Sequence, residues 1–348
     1  MSDAHEHRGS EELDPRKAAI LEAVVSGYIS TAQPVGSSAI VKAGEIGVSS
    51  ATVRSELVAL EREGYLMQPH TSAGRIPTDK GYRFFVDHLT SPGILGPQQR
   101  QEVTSFFDHV QGGLEDVLES ASSLLSDLTS YTAVVVSPSH EAASIRSVQI
   151  VGLGARRGLV VAVLSDGGVE NRSIELPESV DDAALAAATA HLQTSLMGST
   201  IGALATVSPT GNAATDELCA LATQVLGSTT SIEHEHVFVG GSSRLAGAFD
   251  AIETVRGVLS ILEQQLVVVS LLRDVMESGL SVAIGSEHGY EPLASCAVVV
   301  APVEINGRQA GAVGILGPTR MDYPGAMAAA EVVSTELSER IGTEASDG

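Results

Sequence analysis

Tryptophan is absent from these 348 residues, and aromatic residues make up only 3% of them. Any core must therefore be aliphatic, and a hydrophobic content of 43% is enough to build one. Cysteine occurs twice, at Cys219 and Cys296, and neither sits in a CxxC or CxxCH context. That excludes a disulfide framework and fits a reducing cytosol. Long apolar runs are missing too. Ala297–Pro302 and Leu266–Val269 are far too short to span a bilayer. Met1–Glu12 is polar and acidic with no apolar segment, so no signal peptide is expected. The expectation is a cytoplasmic protein without a membrane partner.

Positive charge is scarce, and its distribution is informative. The net charge is −23, and the only lysines are Lys17, Lys42 and Lys80. Residues 1–12 carry one Arg against four carboxylates. Residues 13–90 carry eight Lys/Arg and eight Asp/Glu, and the remainder has 11 basic against 31 acidic groups. The acidic excess thus belongs to the C-terminal part, which DNA phosphates would repel. Only the first ninety residues are suited to face a polyanion.

Local signals divide those ninety residues further. Asp14 followed by Pro15 is a helix start, and Ile20, Leu21, Val24 and Tyr28 follow at helical spacing. A short helix is expected over Ser37–Lys42. Ser49 or Ser50 caps a third, with Val53, Leu57 and Leu60 as its core stripe, ending at Gly64. Tyr65–Pro69 and the return at Ile76 read as a hairpin around His70–Arg75, and Asp79–Leu89 as a fourth helix. This is the order of a winged helix-turn-helix.

A reading helix needs small polar residues and a cation at its N-terminal end, where side chains meet base edges in the major groove. Ser49, Ser50, Thr52, Arg54 and Ser55 supply them, opposite the core stripe. The hairpin should carry a cation to the DNA backbone, and Arg75 fits, with His70, Thr71 and Ser72 as phosphate donors. The competing reading is a winged helix used for protein contacts.

Beyond a Pro/Gly linker at 91–97, a heptad seam runs from Val103 to Leu128, interrupted at Gly112-Gly113. Short strands are expected at Tyr131–Ser137, Ile145–Leu153, Gly158–Leu164, Asn171–Leu176 and Val237–Val239. Further strands are Ser281–Gly285, Cys296–Val303 and, after an Asn306-Gly307 turn, Ala310–Leu316. Residues 181–197 read as a helix, 198–236 are weakly patterned, and Pro324–Ile341 is the last helix. A long helix over 250–277 bears a second heptad stripe that includes Leu259, Leu262, Leu266 and Val269, read as a dimer surface. The C-terminal part therefore reads as an antiparallel sheet with flanking helices, giving a multidomain α+β chain.

Three stretches carry a family resemblance: RKAAILEAVVSGYISTAQPVGSSAI (16–40), VSSATVRSELVALEREGYLMQPHTSAGRIPTDKGYRFFVD (48–87) and GRQAGAVGILGPTRMDY (307–323). They resemble the heat-inducible transcription repressor HrcA family. The resemblance implies a winged-helix domain (13–90) and a GAF-like α/β domain (98–177 and 278–343), with a dimerisation segment (178–277) inserted into the latter. It implies a homodimer on double-stranded operator DNA with an inverted repeat, repressing chaperone operons. It also implies a GroEL-type chaperonin that modulates activity. A two-fold dimer would place its reading helices on half-sites about 34 Å apart per helical turn.

Other features have plainer readings. Glu233-His234-Glu235-His236 has HxH spacing but no third ligand in register, so no metal is expected. Gly152-Leu153-Gly154 with Gly158 misses the dinucleotide spacing and reads as a hairpin turn. No GxSxG elbow or nucleophile–base pair is present, so neither an enzyme nor a cofactor is expected. The alternative regulator is one controlled by a small-molecule effector in the GAF-like domain.

Overall fold

The computed structural model describes residues 13–43, 47–70, 73–89, 93–137, 143–154, 156–165, 168–177, 180–227, 236–249, 251–276, 281–305 and 308–347. They fall into two units. The first comprises 1–92, 283–297 and 317–324, and the second holds the rest.

In the first unit, α1 (Pro15–Thr31) starts where Asp14 accepts from the Arg16 N–H, with Pro15 in its first turn. It buries Ile20, Leu21, Val24 and Val25. Helix α2 (Ser37–Ala43) is short. Helix α3 (Ser50–Arg62) is capped by Ser49, which accepts from the Thr52 N–H at 3.2 Å, and buries Val53, Leu57 and Leu60 at i, i+4 and i+7. The chain reverses at Gly64, whose φ of +82° suits a residue without Cβ. Two short strands follow, β1 (Leu66–Met67) and β2 (Ile76–Pro77), antiparallel with Leu66 opposite Pro77. Val35 and Arg75 exchange two backbone hydrogen bonds at 2.9 Å, which ties the hairpin to the segment between α1 and α2. Gly74 permits this approach, because a Cβ there would stand 2.5 Å from the Val35 carbonyl. Helix α4 (Asp79–Asp87) is capped by Thr78, whose hydroxyl also donates to the Gly64 and Tyr65 carbonyls.

Beyond the hairpin the chain forms two sheets, where the strand pattern had suggested one. Strands β7 (Val237–Gly240), β3 (Thr132–Val136), β10 (Arg308–Pro318), β9 (Cys296–Ile305) and β8 (Ser281–Ile284) are neighbours in that order. Strand β3 is buried along its whole length, as expected of an interior strand. Strands β4 (Ile145–Gly154), β5 (Arg157–Leu164) and β6 (Val169–Glu175) form a separate antiparallel meander. Their inward residues share one aliphatic core with α7 (Asp182–Leu196) and α8 (Ala213–Gly227). β4 is an edge strand, and α7 blocks its free edge. Gln193 Oε1 accepts from the Val148 N–H at 2.7 Å, and Thr189 Oγ1 accepts from the Ile150 N–H at 3.1 Å.

Helix α8 lies in the weakly patterned stretch. Its buried Leu218, Cys219, Ala222 and Leu226 give only a faint stripe among small residues. Its start was nonetheless marked. Asn212 accepts from the Ala214 and Thr215 N–H groups, and Asp216 accepts from the Thr210 and Gly211 backbone.

Both heptad seams change character. The first divides into α5 (Pro97–His109) and α6 (Leu114–Thr129), and Val103, Phe107, Val117, Ala121 and Leu124 are all buried within the chain. The second breaks into α10 (Ile252–Leu262) and α11 (Gln265–Val275), bent by 96°. A short helix, α9 (Leu245–Ala248), precedes them, and α12 (Tyr323–Asp347) closes the chain.

Candidate nucleic-acid interface

Helix α3 presents the polar face that its sequence implied. Arg54 and Ser55 are exposed, while Val53 and Leu57 on either side point inward. Among the described residues Arg54 has no ion-pair partner. The other serines and the threonine are committed locally. Ser49 caps the helix, and its hydroxyl lies 3.0 Å from that of Thr52. Ser50 Oγ is 3.1 Å from Ser37 Oγ and so links α2 to α3. The N-terminal end of α3 thus combines a preorganised backbone with a free guanidinium, and the helix dipole there favours an anion.

Two residues of this face were missed. Val58 is 36% exposed and Arg62 is exposed, four and eight residues beyond Arg54 on the same side of the helix. Helical periodicity counted from Arg54 outward would have found them. Two of the nearby carboxylates are paired, Glu63 with Lys17 and Glu61 with Arg75.

Arg75 is placed differently from the expectation. Its Nε and Nη2 lie 3.0 and 2.8 Å from Glu61 Oε2, and its side chain is 14% exposed. It joins the hairpin to α3 and does not extend from the tip. The reason is geometric: the backbone pairing with Val35 fixes residue 75 at the base of the hairpin, beside α3. His70 is exposed, and Gln68 closes the loop by donating to the Ala73 carbonyl at 3.0 Å. Thr71 and Ser72 lie outside the described residues. Lys80 stands 4.2 Å above the Tyr65 ring.

The residues read as a dimer surface separate into groups. Leu259 is 37% exposed and Leu266 52%, Leu262 is half-buried, and Val269 is 1% exposed. Val269 therefore belongs to the interior, because the bend between α10 and α11 turns it away from the stripe. Ile252, at 67% exposure, extends the apolar surface instead.

Of the Glu-His-Glu-His run only His236 is described, 3.9 Å from Glu115. Among the described residues no three His, Cys, Asp or Glu side chains are placed to hold a metal. Gly154 pairs with Arg157 at the end of a hairpin, as its spacing implied. A hollow of about 280 Å³ lies between α5 and α12, lined by Leu95, Arg100, Glu331 and Glu336 among others. Within the five-stranded sheet, Val134, Val299 and Ile315 are buried. No single described helix is long and apolar enough to cross a membrane.

Comparison with known proteins identifies the family. Residues 115–327 match the family model described as the HrcA protein C-terminal domain. The heat-inducible transcription repressor HrcA of Nocardia farcinica is 38% identical over 341 residues, covering 95% of this chain and 97% of that protein. The proteins of the same name from Pelotomaculum thermopropionicum and an Arthrobacter species are 35% and 38% identical, each over 94% of this chain. A crystal structure of a hypothetical protein shares the fold, with a TM-score of 0.59 at 24% identity and 95% of this chain covered. With a family model over more than half its length and relatives matched nearly end to end, this chain belongs to the HrcA family.

Proposed function

We propose that this protein represses transcription of heat-inducible genes by holding duplex operator DNA on α3. The observation that carries the reading is the exposed Arg54, without an ion-pair partner among the described residues, beside Ser55 at the start of α3. Two neighbouring carboxylates, Glu63 and Glu61, are already paired with Lys17 and Arg75. The hairpin β1–β2 completes a winged helix, with His70 at its tip and Arg75 anchoring it to α3. Val58 and Arg62 extend the face that meets the major groove. Such a role implies a cytoplasmic protein.

The protein would act as a homodimer on an inverted repeat, with a GroEL-type chaperonin setting the active fraction, as the family resemblance implies. On this reading the inserted dimerisation segment lies within about 145 to 227. The meander β4–β6 with α7 and α8 has a core of its own. By contrast, α11 packs on the five-stranded sheet, where a Cβ on Gly314 would meet the Leu272 side chain at 2.8 Å.

Fluorescence anisotropy with the inverted-repeat duplex and a scrambled duplex tests the reading. Tight, salt-dependent binding to the repeat alone, weakened by Arg54→Ala, is the expected result. Equal binding to both duplexes, with chaperonin present, would overturn it.

A further inference from the structure

The first unit contains two pieces from far along the chain, 283–297 and 317–324. The first begins as the end of β8 and passes through two 3-10 turns, Gly285–His288 and Glu291–Leu293. It then returns as the start of β9. The second is the end of β10 leading into α12. Helix α4 grips both pieces.

Arg83 makes the principal contact. Its Nε donates to Glu287 Oε1 at 2.9 Å, its Nη2 pairs with Glu287 Oε2, and its Nη1 lies 3.2 Å from Asp87 Oδ1. Glu287 is held in place in turn, since its Oε2 accepts from the Ile284 N–H at 2.9 Å. A planar guanidinium on both oxygens of a fixed carboxylate sets orientation as well as distance.

One turn earlier on α4, Asp79 fits against the same turn. A Cβ on Gly285 would stand 2.1 Å from Asp79 Oδ2, and φ at Gly285 is +59°. On the other piece, the buried rings of Tyr82 and Tyr323 pack at a tilt of 51° with centroids 6.0 Å apart. Buried His288 braces the turn from within, its Nε2 3.0 Å from the Leu293 carbonyl and its Nδ1 accepting from the Tyr290 N–H.

Helix α4 is in turn fastened to the end of α3. Thr78 donates to the Gly64 and Tyr65 carbonyls, and the Tyr65 and Phe84 rings meet edge-on at 5.8 Å.

We propose that the Arg83–Glu287 pair is a positioning clamp. It fixes α4, and through it the reading helix α3, on the ends of β8, β9 and β10. The inference rests on the DNA-reading function above. Two reading helices must meet two half-sites at one spacing, and a head held only by the residues between α4 and α5 has to be ordered anew at each binding event. The clamp removes that ordering cost in advance. It therefore matters for simultaneous engagement of two half-sites and little for one.

The test uses the full chain with Arg83→Gln, Glu287→Gln and the double variant, on the full inverted repeat and on a single half-site. Each single variant should weaken binding to the repeat by about tenfold and leave half-site affinity within about twofold. The double variant should be no weaker than the weaker single, because both substitutions remove one interaction. Equal loss on both duplexes, unchanged or tighter binding to the repeat, or an additive double variant would overturn the clamp. A wild-type protein that does not prefer the repeat over scrambled DNA would condemn the operator reading instead. Hydrogen exchange then decides the clamp by itself. Amides of 284–290 should exchange faster in Arg83→Gln while those of α1 and α3 do not, and an unchanged 284–290 segment refutes it.

Discussion

Replacing Arg75 by alanine should loosen the hairpin and spare DNA electrostatics, the reverse of what its place in the sequence suggests. Two guanidinium nitrogens lie within 3.0 Å of one Glu61 oxygen, and the Arg75 side chain is 14% exposed. A hydrogen-bonded charge pair in such a setting contributes roughly 1–3 kcal/mol. Glu61 keeps 35% of its side-chain surface in water, so solvent screening brings the figure to about 1–2 kcal/mol. The backbone pairing with Val35 survives the substitution, so the loss should stay local. The informative assay pairs hydrogen exchange of the β1–β2 amides with anisotropy titrations at several salt concentrations. Arg75→Ala should speed hairpin exchange by about 5- to 30-fold and leave the slope of log K against log salt unchanged. Arg54→Ala should do the opposite, with unaltered exchange and a slope reduced by about one per phosphate lost. A flattened slope for Arg75→Ala with unchanged exchange would show that Arg75 reaches the DNA and does not anchor the hairpin.

Three further outcomes follow from the same geometry. Gly74→Ala should destabilise the first unit by roughly 2–3 kcal/mol, because its methyl would overlap the Val35 carbonyl; urea unfolding followed at Tyr65 or Tyr82 measures it, and a wild-type midpoint would refute it. Leu192→Ala should cost about 3 kcal/mol in the core shared by α7, α8 and the meander, read as faster exchange of the β4–β6 amides with β3 and β9 unaffected. Burial pushes the Cys296 thiol up to about 12, and Cys219 is raised as well. Both should therefore resist iodoacetamide at pH 8 until the chain unfolds. The Cys296 contribution to stability should be full below about pH 9 and decline as the pH rises towards 12; rapid alkylation of the native protein at pH 8 would contradict this.

The first unit was legible in the sequence because its signals are local. Asp14-Pro15, Ser49 and Thr78 each start a helix by accepting a backbone N–H from within three residues, and Val53, Leu57 and Leu60 lie on one face by helical period alone. The polar start of α3 follows from the same periodicity, so Arg54 and Ser55 could be named, and Val58 and Arg62 were within reach of the same count. The strands beyond the hairpin were legible from alternation, and Asn212 marks the start of α8.

Partners distant along the chain were decided only by tertiary structure. Whether Arg75 faced solvent or Glu61 depended on the pairing of Val35 with residue 75. A heptad stripe records which side chains are apolar and says nothing of a bend, so the 96° break between α10 and α11 sent Val269 inward and left Leu259 and Leu266 exposed. Alternation marks a strand but not its sheet, and register with β5 and packing on α7 placed β4 in the separate meander. The contact of Arg83 with Glu287 joins residues 204 apart. Charge and shape complementarity across such a separation arises only when the chain has folded.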